Sequence, residues 1–223
     1  MKLTDKQSLS KTVHHAAQFL FDGGTYTTAE RARLANWILA HQNRHRGFVF
    51  YPTDQDLKAG ITLFSGEKPK AKFLAYNALE LETLRLLALI QPKSPPVRRI
   101  LREADQRLSA LCFANGCTQG ECAHASIAVL RYWLASDLRG SSPKFSYAIN
   151  TLKQHRSGDG KWLKFPFFFT LLWLTELPGY IARDELAYVA GLCQKLLATQ
   201  RLARGQNDRI RKKILQRVLA RTA

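Results

Sequence analysis

A period of about forty residues, from Gly120 to Gly160, constrains this chain more tightly than anything else in it. Gly120-Glu121-Cys122-Ala123-His124 and Gly160-Lys161-Trp162-Leu163-Lys164 each close a loop with glycine, set one bulky or reactive side chain, and lead into an apolar run. A helix of similar length is expected before each. Stacked helical hairpins generate such a period, because one hairpin leaves an apolar face uncovered and needs a neighbour on either side. The expected fold is all-α, with antiparallel hairpins stacked as an α/α-toroid or an open solenoid arc.

Apolar residues recur at helical spacing almost throughout. A first helix is expected over 8–21, and Thr27-Thr28-Ala29-Glu30 offers a capped start to a second that ends near Gln42. Residues 43–70 hold Gly47, Pro52, Gly60, Gly66 and Pro69, too many breakers for a long helix, and form one long irregular insertion with a helical turn or two over 56–64. From Ala71 to Ile90 nearly every face is apolar, which predicts a central helix covered on several sides. Pro92, Pro95 and Pro96 end it. An outer helix follows, with Val97, Ile100, Leu101, Ala104, Leu108 and Leu111 on one stripe. Inner helices are expected over 121–136 and 163–177, an outer one over 143–155, and a further one over 182–200. Residues 1–206 then read as a helical-repeat domain, and 207–223 as a basic C-terminal helix packed on it through Ile210, Ile214, Leu215, Val218 and Leu219.

A chain of 223 residues with 46% hydrophobic content can bury a continuous core without disulfide staples. Its longest apolar run, Phe165 to Leu174, is about half of the roughly 20 residues that span a bilayer. No small-residue cleavage site follows the apolar patch from Ala16 to Phe21, so a cytoplasmic location with reduced thiols is expected. Lysine and arginine number 34 against 17 acidic residues, a net charge of +17. Such an excess favours anionic partners, nucleic acid foremost.

Between an outer and an inner helix, Gln154-x-x-x-Gly158-Asp159-Gly160-Lys161-Trp162 resembles the Gln, Gly and Trp motif of the α/α-toroid repeats in squalene cyclases and protein prenyltransferases. Gln42 followed by Gly47-Phe48 is a looser echo. The resemblance implies that Gln154 caps a helix end, that Gly158 or Gly160 turns the chain, and that the Trp162 ring packs between hairpins, over a region from 27 to 200. Neither the Asp-rich motif of the cyclases nor the Asp-x-Cys zinc pair of the prenyltransferases occurs, so a fold is implied and catalytic residues are not.

Cys112, Cys117, Cys122 and His124 offer four soft-metal ligands within thirteen residues. Their spacing, Cys-x4-Cys-x4-Cys-x-His, is not a usual zinc knuckle, and cysteine is commonly buried for packing alone. No tightly bound metal and no cofactor are therefore expected, with zinc on those four residues as the exception. Glu82 and Arg85 are spaced for an intrahelical ion pair. Asp54 and Asp56 are too few for a hard-cation site, and His14 and His15 read as surface residues.

Two functions from different classes stay open. One is a non-enzymatic helical-repeat protein that binds nucleic acid through Arg98, Arg99, Arg102, Arg211, Lys212, Lys213, Arg217 and Arg221, its C-terminal cations held outward as a rigid face. The other is an enzyme or carrier for an apolar, isoprenoid-like anion, with Trp162, Phe165, Phe168, Phe169 and Trp173 lining a toroid cavity. Oligomeric state is left open.

Overall fold

The computed structural model describes residue 5 and residues 8–69, 72–91, 93–136, 141–199 and 205–222. Ten α-helices and one 3₁₀ turn account for most of them, and among the described residues there is no strand beyond three isolated bridges. The all-α expectation holds.

Helix α1 (Leu9–Phe21) starts at Ser8, whose hydroxyl accepts from the Lys11 amide. Helix α2 (Thr28–Ala40) has the capping box read from sequence: the Thr27 hydroxyl accepts from the Glu30 amide, and the Glu30 carboxylate accepts from the Thr27 amide. Within the irregular insertion, α3 (Asp54–Ala59) repeats that box with Thr53 and Asp56. Asp56 is buried, and its carboxylate also accepts from the Ser8 hydroxyl. It is a structural cap that joins α3 to the start of α1.

Helix α4 (Lys72–Ile90) is central, as expected, and packs on α6 (Cys122–Ser136). Helix α5 (Pro95–Ser109) is amphipathic, and Pro95 and Pro96 form its first turn, where a missing N–H costs nothing. Helices α7 (Ser141–Gln154) and α9 (Gly179–Thr199) pack on each other; α8 (Phe167–Glu176) and α10 (Gln206–Ala220) lie against α9. The α10 stripe of Ile210, Ile214, Leu215 and Val218 is buried in the same core cluster as the rest of the chain.

Five of the helices form a circuit of contacts. Helix α1 packs on α4, α4 on α6, α6 on α8, and α8 on α10. Helix α10 returns to α1 through Gln206 to Gln18, Lys213 to Asp22, and Arg217 to the Phe21 carbonyl. Helix α2 lies against α4, α5 against α4, and α7 against α6.

Three spans differ from expectation: α3 covers Asp54–Ala59 where turns were expected over 56–64, α9 begins at Gly179 and not 182, and α8 starts late. The inner helix begins at Phe167, not 163, because Lys164 adopts φ 69° and Pro166 takes the N-cap position. Leu163, expected inside that helix, is 59% exposed.

The Tyr132 hydroxyl ties α6 to α5, donating to Asp105 Oδ1 at 2.8 Å with the Leu101 carbonyl 3.4 Å away. Burial pushes the Asp105 carboxyl up to about 6, despite the opposing pull of Tyr132, Trp133 and Lys144. A raised carboxyl binds its proton more tightly folded than unfolded, so its stabilising effect is complete below roughly pH 4 and is lost as pH rises through about 6. Asp105→Asn should therefore melt at a higher temperature than wild type at about pH 8, with the difference disappearing near pH 4. Parallel thermal melts check this, and a constant gap across that range would refute it.

Candidate functional site

Charged side chains from α4, α6, α8 and α10 meet near the contact of α10 with α1. Arg131 on α6 is 1% exposed and donates Nε and Nη2 to the two oxygens of Glu176 on α8, each at 2.9 Å. Its Nη1 donates to Glu82 on α4. Arg85, also on α4, donates to the same Glu176 at 2.9 Å. The intrahelical Glu82 to Arg85 pair expected from spacing is not what forms: each reaches across to another helix. Phe169 lies under the Arg131 guanidinium at 4.9 Å. Burial disfavours the Glu176 carboxylate, yet Arg131 and Arg85 outweigh that and hold it below its ordinary range. For Arg85, burial dominates and lowers its basicity.

Beside this network lies a cavity of about 310 Å³. Arg85, Arg131, Arg217 and Glu176 line it together with apolar residues that include Phe21, Phe64 and Leu89. Counting Glu82, three guanidiniums meet two carboxylates. The Arg85 Nε and Glu82 Oε2 atoms are buried without a hydrogen-bond partner among the described residues.

The five aromatics expected to line one cavity are dispersed. Trp162 is 4% exposed, packed in the loop before α8, with its indole N–H donating to Glu185 Oε2 at 2.8 Å. Phe165 lines a separate groove of about 300 Å³ between α6 and α7. Phe168 lies 5.0 Å below the Arg211 guanidinium, Phe169 lies below Arg131, and Trp173 is fully buried.

The basic residues divide in two. Arg98, Arg99 and Arg102 stand exposed on α5, outside any ion pair among the described residues. On α10 four of the five cations expected to face outward make contacts within the fold, although Lys212, Lys213 and Arg217 stay exposed. Arg211 donates to the Ser65 and Gly66 carbonyls, each at 3.1 Å. Lys213 pairs with Asp22, and Arg217 donates to the Phe21 carbonyl while its guanidinium lies 3.9 Å from the Phe21 ring. Arg221 donates to the carbonyls of Leu174, Thr175 and Leu177 at the end of α8. Cations suit the Phe21, Leu174 and Thr175 carbonyls because the last turn of a helix leaves carbonyls unpaired at its negative end. Lys212 alone of the five has no partner among the described contacts.

The sulfurs of Cys112, Cys117 and Cys122 lie within 4.8 Å of one another, and no disulfide joins them. His124 is not in that group. The Gln119 amide draws the Cys117 thiol below its ordinary range, whereas burial and the neighbouring thiols push Cys122 up to about 12. His14 is not a plain surface residue: it leans on Phe64 at 5.6 Å, and burial lowers its basicity.

Two loops share a construction that the motif reading only half saw. His41 and His155 each direct Nδ1 at the carbonyl four residues back, at 2.7 and 2.9 Å, and a proline follows eleven residues after each, at Pro52 and Pro166. Each loop is pinned by a fully buried glutamate shared with an arginine. Glu80 accepts from the Val49 amide and Arg107; Glu185 accepts from Trp162 and Arg156. Gly160 allows the close approach, since a Cβ there would lie 2.9 Å from the Leu192 Cβ. Gln154, which the resemblance makes a helix cap, is exposed with no described hydrogen bond; His155 meets the helix end instead. The matched His-x10-Pro spacing was the available signal. No protein-family model, curated protein or solved structure matches this chain.

Proposed function

We propose that the chain is a non-enzymatic helical-repeat protein that holds an anionic partner, nucleic acid first, on its outer surface. The observation that carries this is the α5 trio. Arg98, Arg99 and Arg102 fall within about 100° of helix arc, exposed, while Val97, Ile100, Leu101, Ala104 and Leu108 anchor the other face in the core. A rigid basic face in a chain of +17 charge contacts phosphates without reading bases. On the same footing we read the circuit of inner helices as a closed ring, and place the protein in the cytoplasm, where its free cysteines stay reduced. No helix of the described residues is long and apolar enough to cross a membrane.

A second reading has its own support in the cavity of about 310 Å³, whose excess guanidinium suits a small anion with an apolar portion. It replaces the aromatic-lined pocket inferred from sequence.

Fluorescence anisotropy with labelled duplex and single strands separates the two. Three phosphate contacts should make affinity fall roughly 40-fold between about 50 and 200 mM salt. Arg98→Glu/Arg99→Glu/Arg102→Glu should abolish that binding. No binding at about 50 mM salt, or an unchanged slope in the triple variant, overturns the nucleic-acid reading. An amphipathic diphosphate that raises the melting temperature of wild type and of the triple variant, but not of Arg85→Met, assigns binding to the cavity.

A further inference from the structure

We propose that Cys112, Cys117 and Cys122 form a metal site, three thiolates holding one zinc ion with the fourth position open to solvent. The three come from different local structures: Cys112 opens the 3₁₀ turn Cys112–Asn115, Cys117 follows it, and Cys122 is the first residue of α6. Gly116 makes the convergence with φ 83°, in the left-handed region, and the Cys117 amide donates back to the Cys112 carbonyl at 3.1 Å.

Distance favours coordination. A tetrahedral zinc with Zn–S bonds of about 2.3 Å places its sulfurs about 3.8 Å apart. Cys112 and Cys122 are 3.6 Å apart, and the third sulfur lies within 4.8 Å of both. Packing alone is a poor account of the trio. Cys112 is exposed and the other two half-buried, unlike Cys193, which is wholly enclosed by α9 and its neighbours.

The place of the trio in the fold points the same way. Loops 41–52 and 155–166 each follow a helix of the outer set and are each clamped by a buried glutamate and an arginine. Residues 110–121, between α5 and α6, hold the corresponding place in their own hairpin. No fully buried carboxylate reaches that loop among the described hydrogen bonds. Its polar anchors are the Ser126 hydroxyl, beside the Phe113 and Cys122 carbonyls, and Asn115. The thiols stand where the other two loops carry their clamp, and a metal would do there what the glutamate and arginine do elsewhere.

Binding is written Zn²⁺ + 3 RSH → [Zn(SR)₃]⁻ + 3 H⁺, so each ion should release close to three protons from neutral thiols. The test uses the full chain, reduced and stripped with chelator, titrated with Co²⁺ as a spectroscopic stand-in and then with Zn²⁺. The expected result is one equivalent bound, a thiolate-to-cobalt charge-transfer band, proton release in a weakly buffered titration, and displacement of Co²⁺ by Zn²⁺. Cys112→Ser, Cys117→Ser and Cys122→Ser should each lose the band, and Cys193→Ser should keep it. A wild-type protein that binds no stoichiometric metal while its thiols titrate as free overturns the proposal, as does a band that survives in Cys117→Ser. The wild-type stoichiometry and proton count decide the matter even where a serine variant fails to fold.

Discussion

Arg131→Ala should cost about 3–5 kcal/mol of unfolding free energy, enough to bring a protein of ordinary stability close to its threshold. Removing this one guanidinium strips Glu176 of a bidentate partner and Glu82 of its partner in α6, and leaves both carboxylates in a site that water reaches poorly. Arg131→Lys should recover little, because a single ammonium cannot hold a two-pronged contact to Glu176 and reach Glu82 as well. Urea unfolding with the slope held common to the three proteins is the measurement. A loss under about 1 kcal/mol would mean that the network is solvated and that the adjoining cavity is full of water.

Trp162→Ala should be nearly as damaging, about 3–5 kcal/mol, since it empties the volume of a ring that is 4% exposed. It also takes a donor from Glu185, which would be left with Arg156 alone. Trp162→Phe separates the two contributions. It keeps most of the ring, removes the indole N–H, and should cost about 1–3 kcal/mol for the unsatisfied carboxylate. Equal losses in the two variants would show that the ring is not the anchor of its loop.

Helix positions were legible because their causes are local. Thr27 and Glu30 cap α2 through contacts three residues apart, and the apolar stripe of α5 marks the face it buries. The start of α8 was misplaced because Leu163 and Phe165 fit the apolar run, while the left-handed Lys164 leaves no mark in a count of hydrophobic residues. Charge partners were the least legible. Spacing paired Glu82 with Arg85, since sequence sees only the helix on which both sit; their actual partners are 49 and 91 residues away. The contacts of Arg211, Arg217 and Arg221 within the fold were hidden for a related reason. A long arginine beside an apolar stripe can lay its stem along the surface and deliver its head to a neighbouring helix end, which no helical projection displays. The thiol trio was half visible: the residues stood out, but their convergence depends on a left-handed Gly116.

Helix α10 touches α1 across sequence separations of 188 to 196 residues, far longer than those that join successive hairpins. Closing a loop of that length carries an entropy cost near (3/2)RT ln n, several times smaller in its growth with length than intuition gives it, but due in full before any contact rewards it. Folding should accordingly proceed through neighbouring hairpins and leave this last seam until late, after local contacts have brought its two sides together. The reverse holds for unfolding. When α10 lifts away, the carbonyl ends of α1 and α8 lose their arginines in the same event. The contacts of α10 with α1 thus act as a clasp, whose opening should uncover two helix ends at once.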